Sequence, residues 1–173
     1  MENKNKIDYS KFDEKTNNTI KYSAIWNAVA MAITSVASSL AVYYFASDIY
    51  NRMGIYGNAF ARAYAPQLIN FGSLISSIIW GAIWGAVAGY IIAKFYPILM
   101  DWQKKITGNR LNTLFKLLFW PYIVVALIYL LTAGGFSYIY GGFTGSIIVI
   151  IGDLVAGFVY AKMMEKNVGK YYQ

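Results

Sequence analysis

Long apolar runs separated by polar stretches dominate the chain. Four such runs lie at about 24–45, 73–93, 117–133 and 143–161. Each run approaches the ~20 residues that a helix needs to cross the hydrocarbon core of a bilayer. No water is available there to bond the backbone, so each run must form a helix that pairs its own peptide groups. The pattern predicts an all-α integral membrane protein with four transmembrane helices.

The order of the runs predicts two tandem helical hairpins between polar ends. Residues 1–23 form a polar N-terminal segment, 24–163 the membrane domain, and 164–173 a polar tail. Residues 87–90 and 155–158 read Val-Ala-Gly-Tyr and Val-Ala-Gly-Phe, at an offset of 68. The first and third runs share an Asn-Thr opening and a Trp at an offset of 94. These offsets predict an internal repeat of two parallel hairpins. Convergence among membrane helices, which use few residue types, is the alternative.

Basic residues are segregated between the apolar runs. One side of the predicted membrane holds thirteen of them, and the other side holds only Arg52 and Arg62. The positive-inside bias assigns the basic side to the cytoplasm. We therefore expect a protein of the cell membrane with both termini in the cytoplasm. The thirteen residues are Lys4, Lys6, Lys11, Lys15, Lys21, Lys94, Lys104, Lys105, Arg110, Lys116, Lys162, Lys166 and Lys170.

Composition agrees with a lipid environment and disfavours catalysis. The 173 residues are 58% hydrophobic and 13% charged, with a net charge of +7. Soluble domains have roughly 45–50% apolar and about 25% charged residues. The chain has no Cys and no His, the residues on which most catalytic and metal sites depend. We expect no enzymatic activity, no cofactor, no metal and no nucleic-acid partner.

A stripe of small residues follows the second apolar run at every fourth position. Small residues on one face let another helix backbone approach closely, which is a main source of helix association in lipid. Trp80 and Trp84 lie off this face, and a pore-lining glycine track is the alternative reading. Gly145 and Gly157 extend small-residue packing to the fourth run. The stripe consists of Ser73, Ser77, Gly81, Gly85, Gly89 and Ala93. Its expected complement on the first run is Ala28, Ala32, Ser35 and Ser39.

Asp153 is the only Asp, Glu, Lys or Arg inside the four runs. An acid at the centre of a membrane helix costs about 2.5–3.5 kcal/mol on the insertion scale. Asp153 shares a helical face with Gly145, Gly157 and Ala161, so we expect it at a helix interface. Three roles stay open: a structural hydrogen bond, a proton or cation site, and a contact with a helix of another chain. The candidate hydrogen-bond partners are Ser76, Ser77, Asn27 and a Trp ring N–H.

Aromatic residues gather on the predicted outer side of the membrane. An interfacial belt explains them, because amphipathic rings favour the headgroup level. A docking surface for a partner is the alternative. Residues 59–65 are expected to form a short interfacial helix before Pro66. The outer aromatic residues are Tyr50, Tyr56, Phe60, Tyr64, Tyr138 and Tyr140.

Prolines and glycines indicate where helices begin and end. Pro121 is expected either at the first position of the third helix or at a kink in an amphipathic lead-in to it. The pairs Gly134-Gly135 and Gly141-Gly142 predict a flexible turn before the fourth helix.

Two functions of different classes fit these features best. The first is a non-catalytic subunit or accessory component of a larger membrane complex, favoured by the small size, the stripe and the outer aromatic residues. The second is a small oligomeric transporter or channel that uses Asp153 for a proton or cation. A membrane enzyme is a third, disfavoured by the missing residue types. The expected partners are the lipid bilayer and other membrane subunits or further copies of the chain.

Overall fold

The described part of the chain is almost entirely helical. A computed structural model describes residues 9–52, 71–107, 113–140 and 143–172. Within these ranges lie α1 (Tyr9–Arg52), α2 (Phe71–Thr107), α3 (Leu114–Tyr140) and α4 (Phe143–Val168). A single 3₁₀ turn, Gly169–Tyr171, follows α4.

Each of the four helices contains a segment long and apolar enough to cross a membrane. These segments are Glu14–Val42, Phe71–Gln103, Leu114–Thr132 and Gly145–Tyr171. Large apolar side chains cover the outer helix surfaces, with Trp84 62% exposed and Leu131 80% exposed. Lipid tails solvate such surfaces as well as a protein core does. The prediction of an all-α protein with four candidate transmembrane helices is confirmed.

The central helix of the arrangement is α1. It packs along α2 on one side and along α4 on the other, while α3 packs on α4. The helices therefore follow one another in the spatial order α2, α1, α4, α3. The successive helices α1 and α2 are in contact, as are α3 and α4, and the α1/α4 contact joins these two pairs.

The helices extend well beyond the apolar runs of the sequence. α1 already begins at Tyr9, within the polar N-terminal segment, and α2 continues past Lys94 to Thr107. Lys, Glu and Gln are good helix formers, so a helix started in lipid propagates readily into polar surroundings. The limits of an apolar run therefore show where the side chains change from apolar to polar, and the helix itself continues past them.

One expectation about helix ends is narrowed and another is wrong. Of the two alternatives for Pro121, the first helical position is excluded, because α3 begins at Leu114 and has the proline in its third turn, and a helical lead-in ahead of the proline remains. Gly134 and Gly135 do not belong to a turn, because α3 runs on to Tyr140. In an apolar environment no water competes for backbone hydrogen bonds, so Pro and Gly interrupt helices less than they do in soluble proteins.

The predicted outer surface falls outside what the structure describes. This applies to the 59–65 helix and to the side chains of Tyr50, Tyr56, Phe60, Tyr64, Tyr138 and Tyr140.

Among the side chains that the structure describes, the buried core cluster lies at one end of the bundle. We call this the lysine end: it comprises the start of α1, the end of α2, the start of α3 and the end of α4. Long side chains from α2, α3 and α4 meet there, including Tyr96, Leu117 and Met164. The buried cluster comprises Ala30, Tyr96, Met100, Leu114, Leu117, Leu118, Ala156, Tyr160, Ala161, Met164 and Val168.

The glycines of the stripe face the backbone of α1. A Cβ atom added to Gly85 would lie 2.6 Å from the Asn27 carbonyl oxygen and 2.9 Å from the Ala28 Cα. One turn further, a Cβ on Gly89 would meet the Ser23 carbonyl and lie 2.9 Å from the Ala24 Cα. Neither position has room even for alanine. The two helices thus pack antiparallel, one turn of α2 against one turn of α1.

Gly85→Val is expected to separate α1 from α2, because the β-branched side chain has no space against the α1 backbone. Overpacking of this kind costs about 1–3 kcal/mol. The matched control is Trp84→Phe, since the neighbouring Trp84 side chain is exposed. Unfolding of the purified protein in mixed micelles measures both. Equal stability of Gly85→Val and Trp84→Phe would contradict this packing.

Candidate functional site

Polar side chains of α1 contact neighbouring elements at positions from Glu14 to Ser39. Unsatisfied polar groups are costly in lipid, so hydrogen bonds between helices hold such groups in place. Seven residues of α1 contact polar atoms of other helices or of the chain end: Glu14, Asn18, Thr19, Ser23, Asn27, Thr34 and Ser39.

Two of these side chains donate to backbone carbonyls of α2. The Asn27 side-chain amide donates to the Gly85 carbonyl at 2.8 Å, and the Ser23 hydroxyl donates to the Gly89 carbonyl at 2.8 Å. A carbonyl that already accepts a helical hydrogen bond keeps a second lone pair. The missing glycine side chains allow α1 close enough for these donors to reach it. The glycines therefore provide both the space and the acceptors.

Three hydroxyl groups form a directed chain between α1, α2 and α4. Ser23 has one proton, which it gives to the Gly89 carbonyl, so it must accept from Tyr160, whose hydroxyl lies 2.9 Å away. Tyr160 has then used its own proton and accepts from the Tyr96 hydroxyl. The direction runs from Tyr96 through Tyr160 to Ser23, and Tyr160 is the central member that joins α4 to both other helices. Tyr96 also lies 3.5 Å from the Ser23 hydroxyl, a longer contact.

Tyr160→Phe is expected to destabilise the protein more than Tyr96→Phe. Loss of the Tyr160 hydroxyl breaks two hydrogen bonds and costs about 1–3 kcal/mol, whereas loss of the terminal Tyr96 donor costs about 1 kcal/mol. Tyr129→Phe is the control, because the Tyr129 hydroxyl takes no part in the hydrogen bonds among Tyr96, Tyr160 and Ser23. Unfolding free energies in micelles test the order. A larger loss in Tyr96→Phe than in Tyr160→Phe would contradict the direction.

The chain end is fastened to the start of α1. Asn18 donates to the Tyr171 hydroxyl at 3.0 Å, and that hydroxyl donates to the Glu14 carboxylate at 3.0 Å. The Tyr172 hydroxyl lies 3.0 Å from Thr19, and the Lys15 ammonium lies 4.4 Å from the centre of the Tyr172 ring. Burial raises the pKa of the Tyr172 hydroxyl, and the Thr19 hydrogen bond offsets part of this rise. These contacts hold the C-terminal residues Tyr171 and Tyr172 against residues 14–19 of α1 at the lysine end.

Asp153 lies at the interface between α4 and α1. The Thr34 hydroxyl donates to its Oδ1 at 2.9 Å, and the side chain is partly buried. None of the expected donors fills this role. Asn27 donates to α2 instead, and Ser77 bonds within its own helix and contacts Ser39 of α1. The Trp26 ring N–H is buried without a hydrogen-bond partner among the described residues.

A second small-residue stripe, on α1, could have indicated Thr34. Ala30, Thr34, Ala37 and Ala41 recur at helical spacing, and the three alanines are buried. A Cβ added to Gly145 of α4 would lie 3.0 Å from the Ala41 carbonyl oxygen. This face packs on α4, whereas the face with Ala28 and Ser35 packs on α2. The small-residue stripe on α2 predicts a complementary face on α1 for the α1/α2 contact only, and not the second face that packs on α4.

Small residues of α4 serve two different neighbours. Gly145 and Gly152 face α1, at Ala41 and Ala37, but Gly157 faces the Tyr122 ring of α3. The expectation of a single face shared by Gly145, Asp153 and Gly157 is therefore wrong. Asp153 lies between the two directions on the helix, which explains why its side chain contacts α1 and remains partly exposed.

The remaining stripe residues differ in their surroundings. A Cβ on Gly81 would collide with the Ser35 hydroxyl of α1, and Ala93 is buried at the lysine end. Ser77 lies 3.2 Å from Ser39 through their hydroxyl oxygens. Ser73, at the other end of the stripe, is exposed. The stripe residues thus approach α1 from Ser77 to Gly89, and Ser73 lies at its exposed margin.

Thr34→Val is expected to destabilise the protein by about 1–3 kcal/mol, because it leaves a partly buried carboxyl without its donor. Ser35→Ala is the matched control, since the Ser35 hydroxyl donates to the Met31 carbonyl of its own helix. Thr34→Ser is expected to keep most of the wild-type stability, because serine retains the hydroxyl donor. Unfolding in micelles at constant pH measures all three. A loss in Ser35→Ala as large as that in Thr34→Val would contradict the assigned hydrogen bond.

The chemistry available at Asp153 is that of an acceptor with spare capacity. One carboxylate oxygen accepts from Thr34, and among the described side chains no Lys or Arg forms an ion pair with Asp153. A carboxyl in this state binds a proton, a cation or a donor from another chain. No protein-family model, curated protein or solved structure matches this chain. Function is therefore inferred from Asp153 and its surroundings.

Proposed function

We propose that this protein is a non-catalytic subunit or accessory component of a larger membrane complex. The observation that carries the proposal is Asp153, a carboxyl within a membrane-spanning segment whose hydrogen-bond partner is the neutral Thr34 hydroxyl. A partner helix with a basic or hydrogen-bonding side chain supplies the remaining interaction. Asp153 then serves as a contact between subunits.

The depth of Asp153 explains why a partner is needed. It lies eight residues after Gly145 and eighteen before Tyr171, the limits of its apolar segment. At 1.5 Å per residue, these separations are about 12 Å and about 27 Å along the helix axis. An acid this far inside a membrane helix faces protein or a water-filled cavity and pairs with another group. Inserting an acid at this depth costs about 2.5–3.5 kcal/mol, and one hydrogen bond from a neutral hydroxyl offsets only part of that free energy.

The neighbouring half of α3 offers surface for such a partner. Leu127, Ile128, Leu130 and Leu131 are 47–80% exposed. Consecutive helical residues point about 100° apart, so these side chains extend around most of the helix. Of the other helices, α3 packs substantially on α4 alone. This part of α3 is thus available to a partner helix.

The lysine end is proposed to face the cytoplasm of a cell membrane. Lysines of α1, α2, α3 and α4 meet at this one end, including Lys21, Lys94, Lys116 and Lys162. Lys and Arg are enriched in the cytoplasmic segments of membrane proteins, so this clustering favours a cytoplasmic position for the lysine end. Both chain ends then lie in the cytoplasm.

A small oligomeric transporter or channel is the second candidate. Partial exposure of Asp153 and its spare oxygen favour this function, because a proton or cation can bind there. Several copies of the chain then enclose the pathway, with one Asp153 from each.

Native mass spectrometry of the protein, extracted gently from its own membrane, separates the two candidates. A subunit is expected to carry other polypeptides at fixed stoichiometry. Asp153→Leu is expected to release them, and Asp101→Asn, an exposed acid at the lysine end, is expected to retain them. Asp153→Asn shows whether charge is needed: retention indicates a hydrogen bond alone, and release indicates that the charge or the proton matters.

A homo-oligomer with no other polypeptide would contradict the subunit proposal. In that case, reconstitution in liposomes tests the second candidate. Cation or proton flux that is lost in Asp153→Asn and kept in Asp101→Asn would support a transporter. Absence of flux would contradict it as well.

A further inference from the structure

The outer face of α2 carries one continuous apolar stripe, which we call the outer stripe. Its members recur at intervals of three or four residues, so they occupy one side of the helix. All are exposed, including Trp84 in the middle of the helix and Trp102 close to its end. The outer stripe consists of Trp80, Trp84, Val87, Ile91, Phe95, Ile98, Trp102 and Ile106.

The helix that carries the outer stripe is longer than a bilayer is thick. α2 has 37 residues and is therefore about 55 Å long, whereas a bilayer with its headgroups is about 40–45 Å thick. The register with α1 shows where the excess lies. Gly85 is level with Asn27 and Gly89 with Ser23, so two further turns bring Pro97 level with residues 15–18. Those residues read Lys-Thr-Asn-Asn, which is a polar sequence.

The end of α2 therefore exposes apolar side chains at a level where α1 is polar. Phe95, Ile98, Trp102 and Ile106 are 52–66% exposed there, while Thr16 and Asn17 of α1 are also exposed. The opposite face of the same segment is occupied, because Tyr96 and Met100 belong to the core. One face of this segment thus packs in the bundle core and holds the segment in place, while the opposite apolar face is exposed.

Basic side chains border this part of the outer stripe. Lys94 and Lys105 are exposed and lie eleven residues apart, close to three helical turns, so they share one edge. The Lys94 ammonium lies 4.4 Å from the centre of the exposed Tyr90 ring. Asp101 lies on the same edge, and among the described residues no ion pair joins it to either lysine. An edge of lysines beside aromatic and aliphatic side chains matches the anionic headgroup layer of a membrane.

We propose that the segment of α2 from Phe95 to Ile106 is a binding surface for anionic phospholipid. Its apolar stripe lies against the upper acyl chains, and Lys94 and Lys105 bind the headgroup phosphates. Two observations single out lipid as the occupant: the stripe continues without a break from the exposed apolar middle of α2, and the flanking edge is positive on balance, with two lysines and Asp101. The segment holds lipid at the lysine end, beyond the level at which α1 becomes polar.

Spin labels on single cysteines test the apolar part of this surface. The chain has no native Cys, so Ile98→Cys and Ile106→Cys each carry one nitroxide in vesicles of phosphatidylcholine and phosphatidylglycerol. Both labels are expected to collide more with oxygen than with a water-soluble nickel chelate. Val87→Cys on the same stripe is the lipid control, and the exposed Asn17→Cys on α1 is the water control.

Two other outcomes would overturn the proposal. Frequent collision with nickel at both positions would mean that the segment projects into water. Low collision with both reagents would mean that protein covers it, either a second copy or another partner.

The lysines are tested separately by lipid selectivity. Lys94→Gln together with Lys105→Gln is expected to reduce the preference for spin-labelled phosphatidylglycerol over phosphatidylcholine by roughly fivefold for each lysine, which corresponds to about 1 kcal/mol per charge. The control is Lys166→Gln with Lys170→Gln, two exposed lysines at the same end. An equal reduction in the control would show that general charge, and not this surface, selects the lipid.

Discussion

The close backbone contact between α1 and α2 is the interaction on which the rest of the structure depends. Lipid gives apolar helices no net drive to associate, so close packing and hydrogen bonds must hold them together. Gly85 and Gly89 lack the side chains that would keep α1 away, and Asn27 and Ser23 use the space to bond their carbonyls. This contact fixes the register of the two helices. The same Ser23 hydroxyl then accepts from Tyr160, so the register of α4 follows from it.

The polar residues of α1 explain why the lysine end is tightly hydrogen-bonded. They also explain why Asp153, further along the bundle, keeps an acceptor oxygen available for binding. At the lysine end, hydroxyl, amide and ring contacts bring all the helices and the chain end into one buried cluster. Toward the other end, the described side chains of α1 that bond a neighbouring helix are Thr34, with Asp153, and Ser39, with Ser77. Asp153 therefore lies just beyond the closed half, where only Thr34 among the described residues bonds its carboxyl group. A subunit contact or an ion site is more readily built there than in the closed half.

Sequence reasoning succeeded for features that depend on regular spacing and failed for those that depend on contacts between helices. Hydropathy was sufficient to find four apolar helices, because backbone satisfaction in lipid leaves no other structure. The four-residue spacing of the stripe placed Gly81, Gly85 and Gly89 on one face of α2. The donor to Asp153 was missed because Thr34 lies on the second small face of α1, and only the mutual rotation of two helices brings the residues together. The tyrosine chain was missed for the same reason, since Tyr96 and Tyr160 look like ordinary interfacial aromatics.

Disulfide formation between paired cysteines tests most directly that α1 lies between α2 and α4. The Ser39 and Ser77 oxygens lie 3.2 Å apart, and Thr34 lies 2.9 Å from Asp153. Ser39→Cys with Ser77→Cys, and separately Thr34→Cys with Asp153→Cys, are expected to form a disulfide within one chain on mild oxidation in native membranes. Ile79→Cys with Val125→Cys, on the exposed faces of α2 and α3, is expected to remain reduced. Cross-linking of α2 to α3, or failure of both α1 pairs, would contradict the central position of α1.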